Sequence, residues 1–147
     1  MQEQSNGIRV LNGDSLKMRI NVSFKPNHEV SRQLARACNE AVYRTASAVL
    51  DDIKSRGVVP KDTGELERSG YDEIYGVKAR NVVMRIVFST PYARRWYFNV
   101  DKATFQQTKN MNAQDHWMDY YLDGEGLQWV LDTFVRFLKE EGRGLIV

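Results

Sequence analysis

A small set of residues could do chemistry. Two histidines, His28 and His116, and one cysteine, Cys38, are the strongest ligands and nucleophiles available. Asp62, Thr63 and Gly64 form a D-T-G triplet. The run STPYARRWYF, residues 89–98, sets Arg94 and Arg95 among Tyr92, Trp96, Tyr97 and Phe98. His116 follows Asp115 and precedes Asp119 by three residues, a spacing that could start a metal site. Such a site needs three or four ligands, and no further His or Cys stands at a recognisable interval. Cys38 lies in a helix-like stretch near its apolar face, where a thiol is a small hydrophobe. The aspartic proteases also carry D-T-G, but between β-strands. Here Pro60 and Lys61 precede it and a helix-like ELERS follows, so Asp62 or Thr63 reads as a helix cap. No phosphate-binding glycine loop and no nucleophile elbow is present. The pattern predicts no enzyme, no metal and no cofactor.

The aromatic and arginine run has two other readings. Aromatics interleaved with basic side chains can stack and grip a nucleic acid. They are also the side chains enriched at protein–protein contacts. Eleven of the 16 aromatics lie from Tyr92 to Phe137, which implies an aromatic core at this end of the chain. Tyr92, Trp96 and Trp117 are expected in that core. Tyr97, Phe98 and Phe105 are expected as interface anchors at the edge of a loop.

Charge is distributed unevenly. Residues 1–111 hold 18 Lys and Arg against 12 Asp and Glu, and residues 112–147 hold 3 against 7. A basic part of +6 and an acidic part of −4 make the net +2. Such a division is either solvated surface or a pair of complementary patches between neighbouring copies.

The elements that must position these residues follow from periodicity. With 147 residues and 42% hydrophobic content, one domain is expected, with residues 1–13 a mobile arm or short edge strand. Residues 16–24 alternate strictly, with Leu16, Met18, Ile20, Val22 and Phe24 on one side, which predicts a half-buried strand ended by Pro26. Asn27 can cap a helix over 30–56 whose stripe runs through Val30, Leu34, Ala37, Ala41, Ala48 and Ile53, with Gly57 as its stop. A short helical turn at 65–69 precedes a hairpin over 71–89. Its second strand carries Val83 and Val87 on the face opposite Val82, Met84 and Ile86, so it should be central. Pro91 ends that strand and a helical turn over 92–98 follows. Residues 100–111 are polar and aperiodic and read as a long loop, either ordered by a neighbouring subunit or an ordinary surface loop. Helices are expected from Asn112 to about Leu122, and over 127–141 with Leu127, Val130, Leu131, Phe134, Val135 and Leu138 on one side. The fold class is therefore α+β: a small antiparallel β-sheet packed by one long helix, with additional C-terminal helices. No apolar run approaches the ~20 residues of a membrane span, and residues 1–10 lack signal-peptide character, so a soluble cytoplasmic product is expected.

Three blocks, taken in order, resemble one known group. They are Pro60 with Asp62, Thr63, Gly64, Leu66 and Ser69; Thr90, Pro91, Tyr92, Ala93 and Arg94, with Arg95 and Tyr97; and Trp117 with Asp119. In this arrangement the chain resembles the minor capsid protein family of long-tailed bacteriophages, among the neck and tail-completion components. The resemblance spans about residues 59–119. It implies a non-enzymatic protein of the virion head–tail junction, made in the host cytoplasm. Such a protein forms part of a homo-oligomeric ring between portal and tail through which DNA passes. Implied partners are further copies of the chain, neighbouring connector, portal or tail proteins, and non-specifically the passing DNA, with no membrane. The glycine-split YYLDGEG after Trp117 departs from that pattern. One of Arg94 and Arg95 is expected to pair with an acid of the 115–119 segment, the other to face a neighbour or DNA. The alternative is a small nucleic-acid-binding or processing protein.

Overall fold

The computed structural model describes residues 7–11, 15–23, 32–78 and 81–143. The expected turn at 79–80, the cap Asn27, the strand stop Pro26 and His28 lie outside the described residues.

The alternating segment forms strand β2 (Leu16–Ser23). Its odd–even pattern buries Leu16, Met18 and Ile20 and turns Lys17, Arg19 and Asn21 to the other face. Of the two readings for the N-terminal residues, Gly7–Leu11 takes the second: it is an edge strand, β1, antiparallel to β2, with Arg9 opposite Arg19 in register. The hairpin forms as expected from β3 (Gly70–Lys78) and β4 (Asn81–Phe88), with an irregularity between Ile74 and Gly76. β4 sits between β2 and β3 in a four-stranded antiparallel sheet of order β1-β2-β4-β3. That central place explains why Val83 and Val87 are buried on the face away from the main core.

Helix α1 (Arg32–Ser55) packs on the sheet, and Gly57, with φ 63°, closes it as the sequence predicts. Its buried stripe runs through Ala37, Cys38, Ala41, Val42, Thr45, Ala46, Val49 and Ile53. Ala48, expected on that stripe, is only half-buried. Burial raises the Cys38 thiol above its ordinary value, as fits a core side chain. Ser47 donates to the Asp72 carboxylate at 2.7 Å and Lys54 to the Gly70 carbonyl at 3.0 Å, which fix the helix on β3. The short turn is helix α2 (Glu65–Arg68) and the aromatic run is helix α3 (Ala93–Phe98).

The C-terminal part differs from expectation. No helix forms over 112–122; a single 3-10 turn, Asp119–Tyr121, stands there. Distant carbonyls take the amides that a helix would need. The Gln114 amide donates to the Val58 carbonyl at 3.0 Å and the His116 amide to the Tyr97 carbonyl at 2.9 Å, with His116 at φ 48°. The last helix, α4 (Gly124–Glu141), begins earlier than its apolar stripe suggested. Gly126 lies in its first turn because a Cβ there would stand 1.8 Å from the Tyr120 carbonyl oxygen. α4 packs on α1, and Arg44 of α1 binds Glu140 and Glu141 at 2.8 and 3.0 Å. The architecture is α+β with one long helix on the sheet and the C-terminal helix packed against that helix. No helix among the described residues is long and apolar enough to cross a membrane.

Candidate functional site

Pro91 is exposed where β4 ends, and the Ala93 amide closes the turn onto the Thr90 carbonyl at 3.1 Å. The two-residue offset from Ala93 to Arg95 decides which side chains face in. Ala93 and Tyr97 are fully buried, whereas Arg94 and Arg95 are exposed. Tyr92, Trp96 and Phe98 are half-buried against the core. Tyr97 was expected as an interface anchor; it cannot meet a neighbour, because its ring is enclosed by Trp117 (4.8 Å between centroids), Phe98 (5.1 Å) and His116 (5.2 Å). Trp117 is fully buried, edge-on to Phe88 at 5.6 Å, as expected of a core residue.

The acidic segment is engaged from inside. Tyr97 donates its hydroxyl to Asp119. Burial first, and then that carboxylate, hold the phenol well above its ordinary range. Tyr121 makes a second such pair with Asp52 and is also raised by burial first, with Arg56 opposing. Asp115 accepts from Asn99 Nδ2 at 3.1 Å and contacts His116 Nδ1 at 3.1 Å, and these contacts, His116 first, hold its carboxyl below the usual range. Arg95 pairs instead with Asp101 at 3.2 Å, both side chains exposed, so the 115–119 segment is not its partner.

The D-T-G block lies across a cleft from the aromatic turn. Gly64, at φ 84°, precedes α2, and the Thr63 hydroxyl accepts the Glu65 amide at 3.3 Å, so Thr63 rather than Asp62 supports the helix start. Leu66 is buried in the core, and Ser69 closes the turn by donating to the Leu66 carbonyl at 2.7 Å. Tyr92 reaches over to the Glu65 carboxylate at 3.1 Å. The cleft, of about 510 Å³, is walled by Pro60, Asp62 and Gly64 on one side and by Tyr92, Trp96 and Phe105 on the other.

Residues 100–111 are held by their own chain rather than left for a neighbour to fix. Phe105 packs edge-on to Trp96 at 5.7 Å. Gln106 Nε2 donates to the Lys61 carbonyl at 3.0 Å, and the Lys109 ammonium to the Asp62 carbonyl. Asn110 is buried and donates to the Val59 carbonyl at 2.8 Å and to Glu67 at 3.2 Å. Asn99 latches the loop's start by accepting the Ala103 amide at 2.8 Å and donating back to its carbonyl at 2.9 Å.

The chain matches no family model, no curated protein and no solved structure.

The structure therefore gathers the three sequence blocks at one end of the fold, through Tyr92–Glu65, Tyr97–Asp119 and the Trp117 ring stack. Among the described residues, no group of three or more His, Cys, Asp or Glu side chains is placed to hold a metal ion. Sequence reasoning missed Asn99, Asn110, Glu67 and the Tyr121–Asp52 pair. Asn99, at φ 42°, had one signal: asparagine tolerates the left-handed conformation that ends a helix. The other three are set by partners more than forty residues away, which no local pattern reveals.

Proposed function

We propose that the chain is a non-enzymatic structural component of the head–tail connection of a long-tailed bacteriophage, one subunit of a homo-oligomeric ring between portal and tail. One observation carries this reading. The residues that resemble the family's three blocks pack against one another, and their side chains build one end of the fold. Asp119 accepts from Tyr97, Glu65 accepts from Tyr92, and Trp117 lies within the core, so these groups serve as scaffold. Loops held by side-chain hydrogen bonds suit a part that must fit a symmetric neighbour with little backbone movement. The test is electron microscopy and mass spectrometry of phage particles made by cells carrying the gene. The expected result is the chain present at the neck in a symmetric ring. Its absence from particles overturns the reading.

A second reading, a small nucleic-acid-binding protein, is favoured by Lys17, Arg19 and Arg85 on the sheet face away from α1. It requires DNA binding by the purified chain that weakens steeply as salt rises.

A further inference from the structure

We infer that the sheet of one copy of this chain continues into the sheet of the next, the edge strand β1 of one copy pairing antiparallel with the edge strand β3 of its neighbour. The inference deepens the ring reading above and rests on it.

The strand order supplies two edges. In the order β1-β2-β4-β3, β1 and β3 are outermost, and among the described residues each pairs with a strand on one side only. An edge strand presents main-chain N–H and C=O groups with which another chain can pair. The Gly70 carbonyl is taken by Lys54, and the irregularity of β3 follows Ile74, so its regular open stretch is residues 71–74. Two apolar side chains stay exposed in those four residues: Tyr71 is 43% and Ile74 57% exposed. Ile74 lies in the row of Ile20 and Met84, which are buried on the core face. One more strand along the edge would extend that face over Ile74.

The rows of the sheet say which strand fits. Followed across to β1, the row of Ile74 ends at Ile8, the row of Glu73 at Arg9 and the row of Tyr71 at Leu11. A second copy that repeats each row brings all three into one antiparallel register. Its Ile8 then stands opposite Ile74, its Arg9 opposite Glu73 and its Leu11 opposite Tyr71. Apolar pairs and opposite charges placed so stabilise a sheet, and like charges destabilise it. Within one copy the charged row runs through three arginines before its one carboxylate, and Glu73 binds Arg85 at 2.5 Å. Repetition sets Glu73 between two arginines. Asp72, the fourth residue, falls opposite Val10 and keeps its own partner, Ser47, at 2.7 Å.

Direction and symmetry follow from the same order. Neighbouring strands alternate in direction, so β1 and β3 of one copy run antiparallel. A copy shifted sideways without being turned over therefore presents its β1 antiparallel to β3. The two edges bound opposite sides of one sheet, so each copy gives a different edge to each neighbour. The contact is heterologous, and such contacts build rings when the rotation closes. A two-fold pairing of β3 with itself, centred on Asp72 or Glu73, would set a carboxylate against its own copy.

The experiment uses the full chain with Cys38→Ala. Sedimentation velocity over a concentration series should show association beyond a dimer. Ile74→Lys places a charge in the open edge and should weaken association at least about tenfold, with circular dichroism as the check on folding. Mild oxidation then reads the register. Ile8→Cys combined with Ile74→Cys should give a ladder of linked species. Within one chain these positions stand three strand spacings apart, about 14 Å, too far for a disulfide. Ile8→Cys combined with Tyr71→Cys, positions on opposite faces, should link no more than background. A chain that stays monomeric, a folded Ile74→Lys that associates as before, or an Ile8/Ile74 pair that links no better than the Ile8/Tyr71 pair overturns the inference. Links formed by Ile74→Cys alone mean a two-fold β3–β3 pair and overturn it. The expected ladder in a protein absent from phage particles upholds this contact and removes the phage assignment alone.

Discussion

At the aromatic end, the Tyr97 hydroxyl meets Asp119, Tyr92 meets Glu65, and buried Asn110 bridges Val59 and Glu67. On the outer sheet face, Arg19 stands beside Arg85 with a single carboxylate, Glu73, for the row. On α4, Leu131 and Val135 stay exposed, with Asp132, Arg136 and Lys139 exposed along the same helix. The first region pairs its hydroxyls and carboxylates internally, although the buried Trp117 Nε1 has no hydrogen-bond partner among the described residues, and the second leaves Lys17 and Arg19 to solvent. The family-like motif is thus spent on the fold itself, whereas the outer strand and helix faces keep charged and apolar side chains exposed.

That division can be broken by experiment. The largest effect is expected from Trp117→Ala, which empties the space between Phe88 and Tyr97. It should cost about 3–5 kcal/mol in urea unfolding. Gly126→Ala comes next. The new methyl would overlap the Tyr120 carbonyl, so the first turn of α4 or the 3-10 turn must move, at about 3 kcal/mol. If either variant unfolds at the wild-type urea concentration, the aromatic end does not hold the fold as described.

A smaller effect should appear with alkali. Tyr97 and Tyr121 are both raised above their ordinary value of 10.0 in the fold. The unfolded chain ionises these phenols first, so their contribution is full below about pH 10 and is lost as pH rises above it. Absorbance at 295 nm should show two of the seven tyrosines ionising only on unfolding. Tyr97→Phe should shift that alkaline transition and lower stability at neutral pH by about 1–2 kcal/mol. The smallest effect belongs to Arg95→Ala. Its pair with Asp101 is exposed on both sides, and the melting temperature should not change measurably.

The sheet was legible because its strands are half-buried. Leu16, Met18 and Ile20 alternate with polar residues, and Val83 and Val87 marked β4 as central. The long helix was legible in position, though its buried stripe follows Val42, Ala46 and Val49 rather than Ala48. Residues 112–122 were misread because local pattern favours a helix that Val58 and Tyr97 prevent by taking the amides. The 100–111 segment is a loop, as its lack of period predicted, but what holds it was not legible. It has no period, yet single side chains such as Asn110 and Phe105 fix it to distant parts of the chain. At the site, burial of Trp117 was foreseen, whereas Tyr97 and the partner of Arg95 were not. Adjacent residues on a one-and-a-half-turn helix differ wholly in exposure once the core chooses one side.

The strand order has a consequence for how the chain is made. β1 and β2 leave the ribosome as a hairpin, but the strand that completes β2, running from Asn81, is synthesised only after α1 and β3. At about 5–20 residues per second the wait lasts several seconds. During that time Leu16, Met18 and Ile20 have only the nascent α1 to cover them. Closing β2 on β4 needs a long loop to be drawn in, the step that slows folding of non-local sheets. The β3–β4 pairing is local and the β2–β4 pairing is not, so the expected order is hairpin first and β2 last, which φ-values at Met18 and Val77 would check.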